Sequence, residues 1–192
     1  MQKIFLNGRD FLSLHRIFIS KFFSDICVNV DFTEGDVIVN VKLANPFIEA
    51  FMKVMPLLGC PNPKRIKVYL QDDNVVSAGV SVRVSFTKGL MGSVVYNMHE
   101  DTAKFIASTM MMGMPVAGFD DLAKSAISEL SNMLTANATT NLTSLGFLAD
   151  IAPPQLVVGT GTPLPMGLPQ SLGVAMDVGG HVVDILIGIK KA

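Results

Sequence analysis

The sequence predicts an α/β protein of the α+β type: an antiparallel sheet covered by helices on one face, with an internal pseudo-two-fold repeat. Three observations carry that prediction. Apolar residues recur at period two in both halves of the chain, and each set of such runs follows a stretch with helical spacing. Several of the connections are short enough to join antiparallel neighbours. The regular helix–strand alternation that a parallel sheet requires is absent.

The first half supplies its elements in order. In "ANPFIEAFMKVM", Asn45 stands as a candidate N-cap with Pro46 at the first helical position, and Phe47, Ile48, Phe51 and Met55 follow at helical spacing. Pro56 and Gly59 end that helix. "IKVYL" points Ile66, Val68 and Leu70 one way, while "VSVRVSF" sets Val80, Val82, Val84 and Phe86 against Ser81, Arg83 and Ser85. The turns at Asp72 to Asn74 and Thr87 to Gly89 lead from strand to strand and then into "GSVVYNM", so an antiparallel meander is expected. "HEDTAKFIASTMMMG" reads as a second helix, with Glu100 and Asp101 in its first turn and Gly113 as its stop. Its methionines 110, 111, 112 and 114 are expected to fill the core.

The second half echoes the first. A long helix runs from about Asp121 to Leu142, and "PPQLVV", "LGVAMDV" and "HVVDILIGIK" supply three strands, the last two joined by a Gly179-Gly180 hairpin turn. "GTGTPLPMGLPQ" opens no helix, so it reads as a turn-rich excursion and not as a phosphate cradle.

Composition narrows the function classes. The chain has 192 residues, 49% hydrophobic and 16% charged, which suits one well-buried domain over residues 41–192. A formal net charge of -1 gives no field for nucleic acid or an anionic membrane. Residues 1–40, rich in Phe and Ile, read as an N-terminal extension of open character: an amphipathic helix packed on the domain or a partner, an interfacial anchor, or a poorly ordered tail. Arg9, Asp10, His15, Arg16 and Lys21 interrupt it before any run reaches a membrane span or signal-peptide core, so no transmembrane segment and a cytoplasmic location are expected. Cys27 and Cys60 fit buried, reduced thiols. His15, His99 and His181 are scattered without metal-ligand spacing, so no metal site is expected, and Asp150, Asp177 and Asp184 read as isolated surface or turn residues. No GxSxG, Walker A or HExxH motif occurs.

What stands out is "SAISELSNML". On a helical wheel Leu122, Ala126, Leu130, Met133 and Leu134 gather on one side, and Ser125, Glu129, Asn132, Ala136 and Thr139 form a ridge roughly 120° from the centre of that stripe. Glu129 and Asn132, at i and i+3, can reach the same small object in front of the helix. The small neighbours Ser125, Ser128 and Ala136 let a partner's surface come close.

This sequence resembles the CheC/CheX/FliY family of chemotaxis phosphatases, the CheX branch most closely. The family's signature of a Ser or Asp, three residues, Glu, two residues and Asn on one helix, with a proline some twenty residues later, stands here as Ser125, Glu129, Asn132 and Pro153 or Pro154. The resemblance runs from roughly Val41 to Lys190 through "GSVVYNMHEDTAKFIASTMMMGM", "LAKSAISELSNML" and "DIAPPQLVVG". It implies a CheC/CheX-like fold and a phosphatase that hydrolyses the aspartyl phosphate of a CheY-like receiver-domain response regulator. By that resemblance Asn132 positions the attacking water and Glu129 engages the regulator's lysine. Mg²⁺ comes from the regulator, so this chain binds no cofactor of its own, and a homodimer through sheet edges is expected. The alternative is a non-catalytic module that binds a response regulator or flagellar-switch component through the same helix.

Aligning "NPFIEAFM" with "SAISELSN" sets Asn45 on Ser125 and Glu49 on Glu129, but Met52 where Asn132 stands. One competent site per chain is expected, and Glu49 then reads as a first-turn residue favoured by the helix dipole.

Overall fold

The computed structural model describes residues 41–192; the expectations for residues 1–40, Cys27 and His15 lie outside them. The chain order is α1 (Val41–Leu57), β1 (Lys64–Asp72), β2 (Val80–Lys88), β3 (Leu90–Met98), α2 (Glu100–Met110), α3 (Asp121–Ser144), β4 (Asp150–Ile151), β5 (Gln155–Val158), β6 (Gln170–Val178) and β7 (His181–Lys191). Among the described residues every strand pairing is antiparallel, as expected.

Strand order departs from a simple meander. It runs β1-β6-β7-β3-β2, with β4 and β5 both on the outer edge of β2. The turn after Asp72 therefore does not join neighbours, because β1 pairs with β6 and not with β2. The reason lies in the repeat. Exchanging β1 with β5, β2 with β6 and β3 with β7 returns the same order read backwards, so β1 crosses over to flank the second half and the short β5 to flank the first. Local turn chemistry cannot encode such an exchange. The two central strands, β3 and β7, pair along their whole length across the pseudo-axis, from Leu90 opposite Lys191 to Met98 opposite Val183.

The helices lie on one face and close the main core. Val80, Val82, Val84, Val94, Ile185 and Ile187 meet Phe47, Phe51, Ile127 and Leu134, all essentially without solvent exposure. The alternating stripe of β2 is thus buried as its pattern predicts. That of β1 is not: this edge strand leaves Ile66 and Leu70 about half exposed. The other face is covered by the Gly/Pro loop after β5 and the segment after β1, which bury Leu164, Met166 and Val75 over Val95 and Leu186. Ser93 donates to the Met166 carbonyl (2.9 Å), and the Met166 amide donates to Asp73 (3.0 Å), pinning that loop.

Helix boundaries also differ from expectation. Asn45 and Pro46 do not open α1, which is already helical at Val41. Pro46 removes one donor and crowds the carbonyl four residues back. The helix nonetheless continues through it, because Leu43 and Ala44 extend the buried stripe a turn upstream. At its other end the Cys60 amide donates to Met55 and the Gly59 amide to Pro56, with Gly59 at φ 87°, a Schellman motif. The end of α2 uses the same motif, but Met112 and not Gly113 takes the first left-handed position, at φ 56°. That geometry throws the Met112 side chain wholly into solvent and leaves Met114 mostly exposed, while Met110 and Met111 pack on the core; the methionine cluster is only half core. Gly179 and Gly180, at φ 65° and 89°, form the expected two-residue turn between β6 and β7.

Candidate functional site

Helix α3 is seated from below and capped in front. Asp120 is its N-cap, accepting from the Ala123 amide at 2.9 Å. Its buried stripe is Ala123, Ile127, Leu130, Leu134, Ala138 and Leu142, with Ser131 and Thr135 alongside. Ser131 donates to the Ile127 carbonyl and Thr135 to the Ser131 carbonyl, so both hydroxyls are satisfied in the interior. Since the Thr135 proton is engaged there, Tyr96 on β3 is the donor in the 3.1 Å bond between the two hydroxyls. Burial of the Tyr96 phenol pushes its pKa up, so it stays a donor.

This seating rotates the helix relative to the wheel drawn from sequence. Leu122 does not join the core but is 56% exposed, and Ala126 and Met133 are only partly buried. The inward stripe is centred one residue further along, on Ala123 and Ile127. The ridge of Ser125, Glu129, Asn132 and Ala136 consequently lies about 160° from the centre of the buried stripe at ~100° per residue, further out than expected. Ser125, Glu129 and Ala136 are exposed, and Asn132 is half-buried.

The polar heads on this helix divide into two groups. Ser125 donates to the Asp121 carbonyl (2.8 Å) and Ser128 to that of Lys124 (2.8 Å), so their hydroxyls are turned into their own backbone. Asn137 is likewise folded back, onto Met133. Glu129 and Asn132 are not. Among the described residues no hydrogen bond or ion pair holds the Glu129 carboxylate or the Asn132 amide. Nor does either line the hollow of about 340 Å³ at the N-terminus of α2, whose walls include His99, Glu100 and Thr160. Chemically the pair offers an acceptor for a cation and a neutral group that both donates and accepts, presented outward.

Residues 80–170 match the family model for the chemotaxis phosphatase CheX, a segment that holds the whole of α3. The resemblance read from the sequence is borne out. A CheY-P phosphatase CheX of Thermotoga maritima is 41% identical over 76 residues, covering 40% of this chain and 49% of that protein. This chain spans about half the length of the curated relatives it matches. The crystal structure of CheX from Vibrio vulnificus superposes with a TM-score of 0.69 at 22% identity, covering 78% of this chain and 99% of that one, a likeness of fold. A chain in the crystal structure of the CheX–CheY–BeF₃–Mg²⁺ complex from Borrelia burgdorferi superposes with a TM-score of 0.60 at 25% identity, over 78% of this chain and 98% of that one.

Other expectations fare variously. Pro153 and Pro154 break the outer edge strand between β4 and β5, where a missing amide proton costs no ladder bond to a further strand. Asp177 accepts from the Gly180 amide in the hairpin (2.8 Å), a turn role as expected. Asp184 is not isolated. It accepts from Tyr69 of β1 (2.8 Å), whose ring lies over Gly173; that bond joins β1 to β7 across β6. No sequence spacing signals it, because it depends on the crossed strand order. His181 stacks on Phe105 at 4.1 Å. Among the described residues no group of His, Cys, Asp and Glu is placed to hold a metal, and no helix is long and apolar enough to cross a membrane.

Proposed function

We propose that this protein hydrolyses the aspartyl phosphate of a CheY-like receiver-domain response regulator, with α3 as the probe. The observation that carries the reading is the pair of unengaged heads of Glu129 and Asn132 on one outward ridge, within the segment that matches the CheX family model. Glu129 meets the regulator's active-site lysine, a point charge suited to a carboxylate, and so fixes register. Asn132 enters the pocket and holds a water in line with phosphorus, its carbonyl accepting from the water and its amide donating to an oxygen nearby. A glutamine does the same work in small GTPases. Water attacks, the bond between phosphorus and the aspartyl oxygen breaks, the carboxylate leaves, and the water's proton goes to the phosphate released. The Mg²⁺ that neutralises the phosphoryl oxygens belongs to the regulator. Ser125, Ser128 and Ala136 provide a low surface around the probe.

Two copies are proposed to pair through a sheet edge, and the outer edge of β1, with Ile66 and Leu70 half exposed, is the candidate. The decisive assay follows a Mg²⁺-loaded phosphorylated receiver with and without the full chain. Catalytic amounts should shorten its lifetime. Binding with no change in lifetime would favour the non-catalytic module instead.

A further inference from the structure

The repeat carries a second ridge. Eighty positions apart, Phe47, Ala50 and Val54 of α1 stand where Ile127, Leu130 and Leu134 stand in α3, and all six are buried. On the outward side Asn45, Glu49, Met52 and Pro56 match Ser125, Glu129, Asn132 and Ala136. In α1, too, those four lie about 160° from the centre of the buried stripe at ~100° per residue. The crossed strand order shows that the correspondence extends to the whole sheet.

Glu49 has no local explanation. Because α1 is already helical at Val41, Glu49 lies beyond the first turn, and the dipole reading falls. It is exposed, and among the described residues no hydrogen bond or ion pair engages it, not even with Lys53 one turn later. Beside it Met52 is 44% exposed at the position of the amide.

We propose that the α1 ridge is a second docking surface for a phosphorylated receiver domain, one that binds without hydrolysing. This rests on the function proposed above. Glu49 takes the receiver's lysine as Glu129 does. Met52 offers a flexible apolar head whose thioether donates no hydrogen bond and accepts only weakly, so it seats against the pocket and cannot orient a water. The chain would then hold two receivers and dephosphorylate one at a time.

The test titrates the full chain with a receiver loaded with Mg²⁺ and beryllofluoride, which stands in for the phosphoryl group, and reads stoichiometry by calorimetry. Two receivers per chain are expected. Glu49→Lys or Glu129→Lys should leave one, and the double variant none. These exposed substitutions leave the core untouched, which circular dichroism verifies. In an Asn132→Ala background, Met52→Asn should restore hydrolysis at least tenfold over Asn132→Ala alone. A single site that Glu129→Lys abolishes and Glu49→Lys leaves intact, with normal wild-type hydrolysis, overturns this proposal and leaves the phosphatase reading standing. Neither binding nor hydrolysis in the wild type would sink that reading itself.

Discussion

Thr135→Val disturbs the seat of the probe helix without touching its outward face. Val has the shape of Thr, so packing is preserved, but the Tyr96 hydroxyl loses its acceptor in a site where both residues have about 1% exposure or less. A buried donor left unpaired costs about 1–3 kcal/mol. Tyr96→Phe should be milder, near ~1 kcal/mol, because Thr135 still donates to the Ser131 carbonyl and only an acceptor lone pair goes unused. Making both changes removes donor and acceptor together, so the double variant should be more stable than the sum of the singles implies, with a coupling of about 1 kcal/mol. Urea unfolding followed by circular dichroism measures all three. Asn132 lies three residues before Thr135 on the same helix, so hydrolysis by Thr135→Val should fall while receiver binding through Glu129 persists. Tyr96→Phe as damaging as Thr135→Val, or plain additivity, would refute the donor assignment.

Three further outcomes follow from particular residues. Met112→Gly should stabilise the protein by ~1 kcal/mol, since a wholly exposed side chain there contributes no packing and glycine relieves the left-handed strain; a melting temperature raised by a few degrees checks it. Glu129→Lys should abolish hydrolysis and regulator binding at α3 together at low salt, whereas Glu129→Gln should retain part of both, as rates against receiver concentration will show. In a Cys27→Ser background the Cys60 thiol should react with an aromatic disulfide far more slowly than in the unfolded chain at pH 8. Burial raises its pKa against the weaker opposing pull of its hydrogen bond with Thr109, and so depletes the thiolate.

Much of this architecture is legible in the sequence, and the failures share a cause. The stripe of β2, the Gly179-Gly180 hairpin and the bounds of α3 are local patterns, and the structure repeats them. The pairing of β1 with β6 is a non-local exchange that no turn specifies, and the Tyr69–Asp184 bond and the exposure of Ile66 and Leu70 follow from it. Pro46 is a strong local breaker, but burial of Leu43 and Ala44 upstream overrides it, a tertiary effect that local spacing does not carry. For the site, the i, i+3 spacing of Glu129 and Asn132 placed both on the outer ridge. Leu122 falls outside the core because the buried stripe extends round the opposite flank of the helix, to Ser131 and Thr135, polar residues whose hydroxyls are bonded inward and which a hydropathy wheel places outside.

The most direct measurement compares Asn132→Ala with the wild type on a phosphorylated, Mg²⁺-loaded receiver, recording turnover and affinity separately. Loss of the water-holding amide should reduce turnover by about 100-fold or more while the dissociation constant moves less than threefold, because the group acts in the transition state and not in docking. Turnover equal to wild type, with the receiver bound as before, would contradict the account.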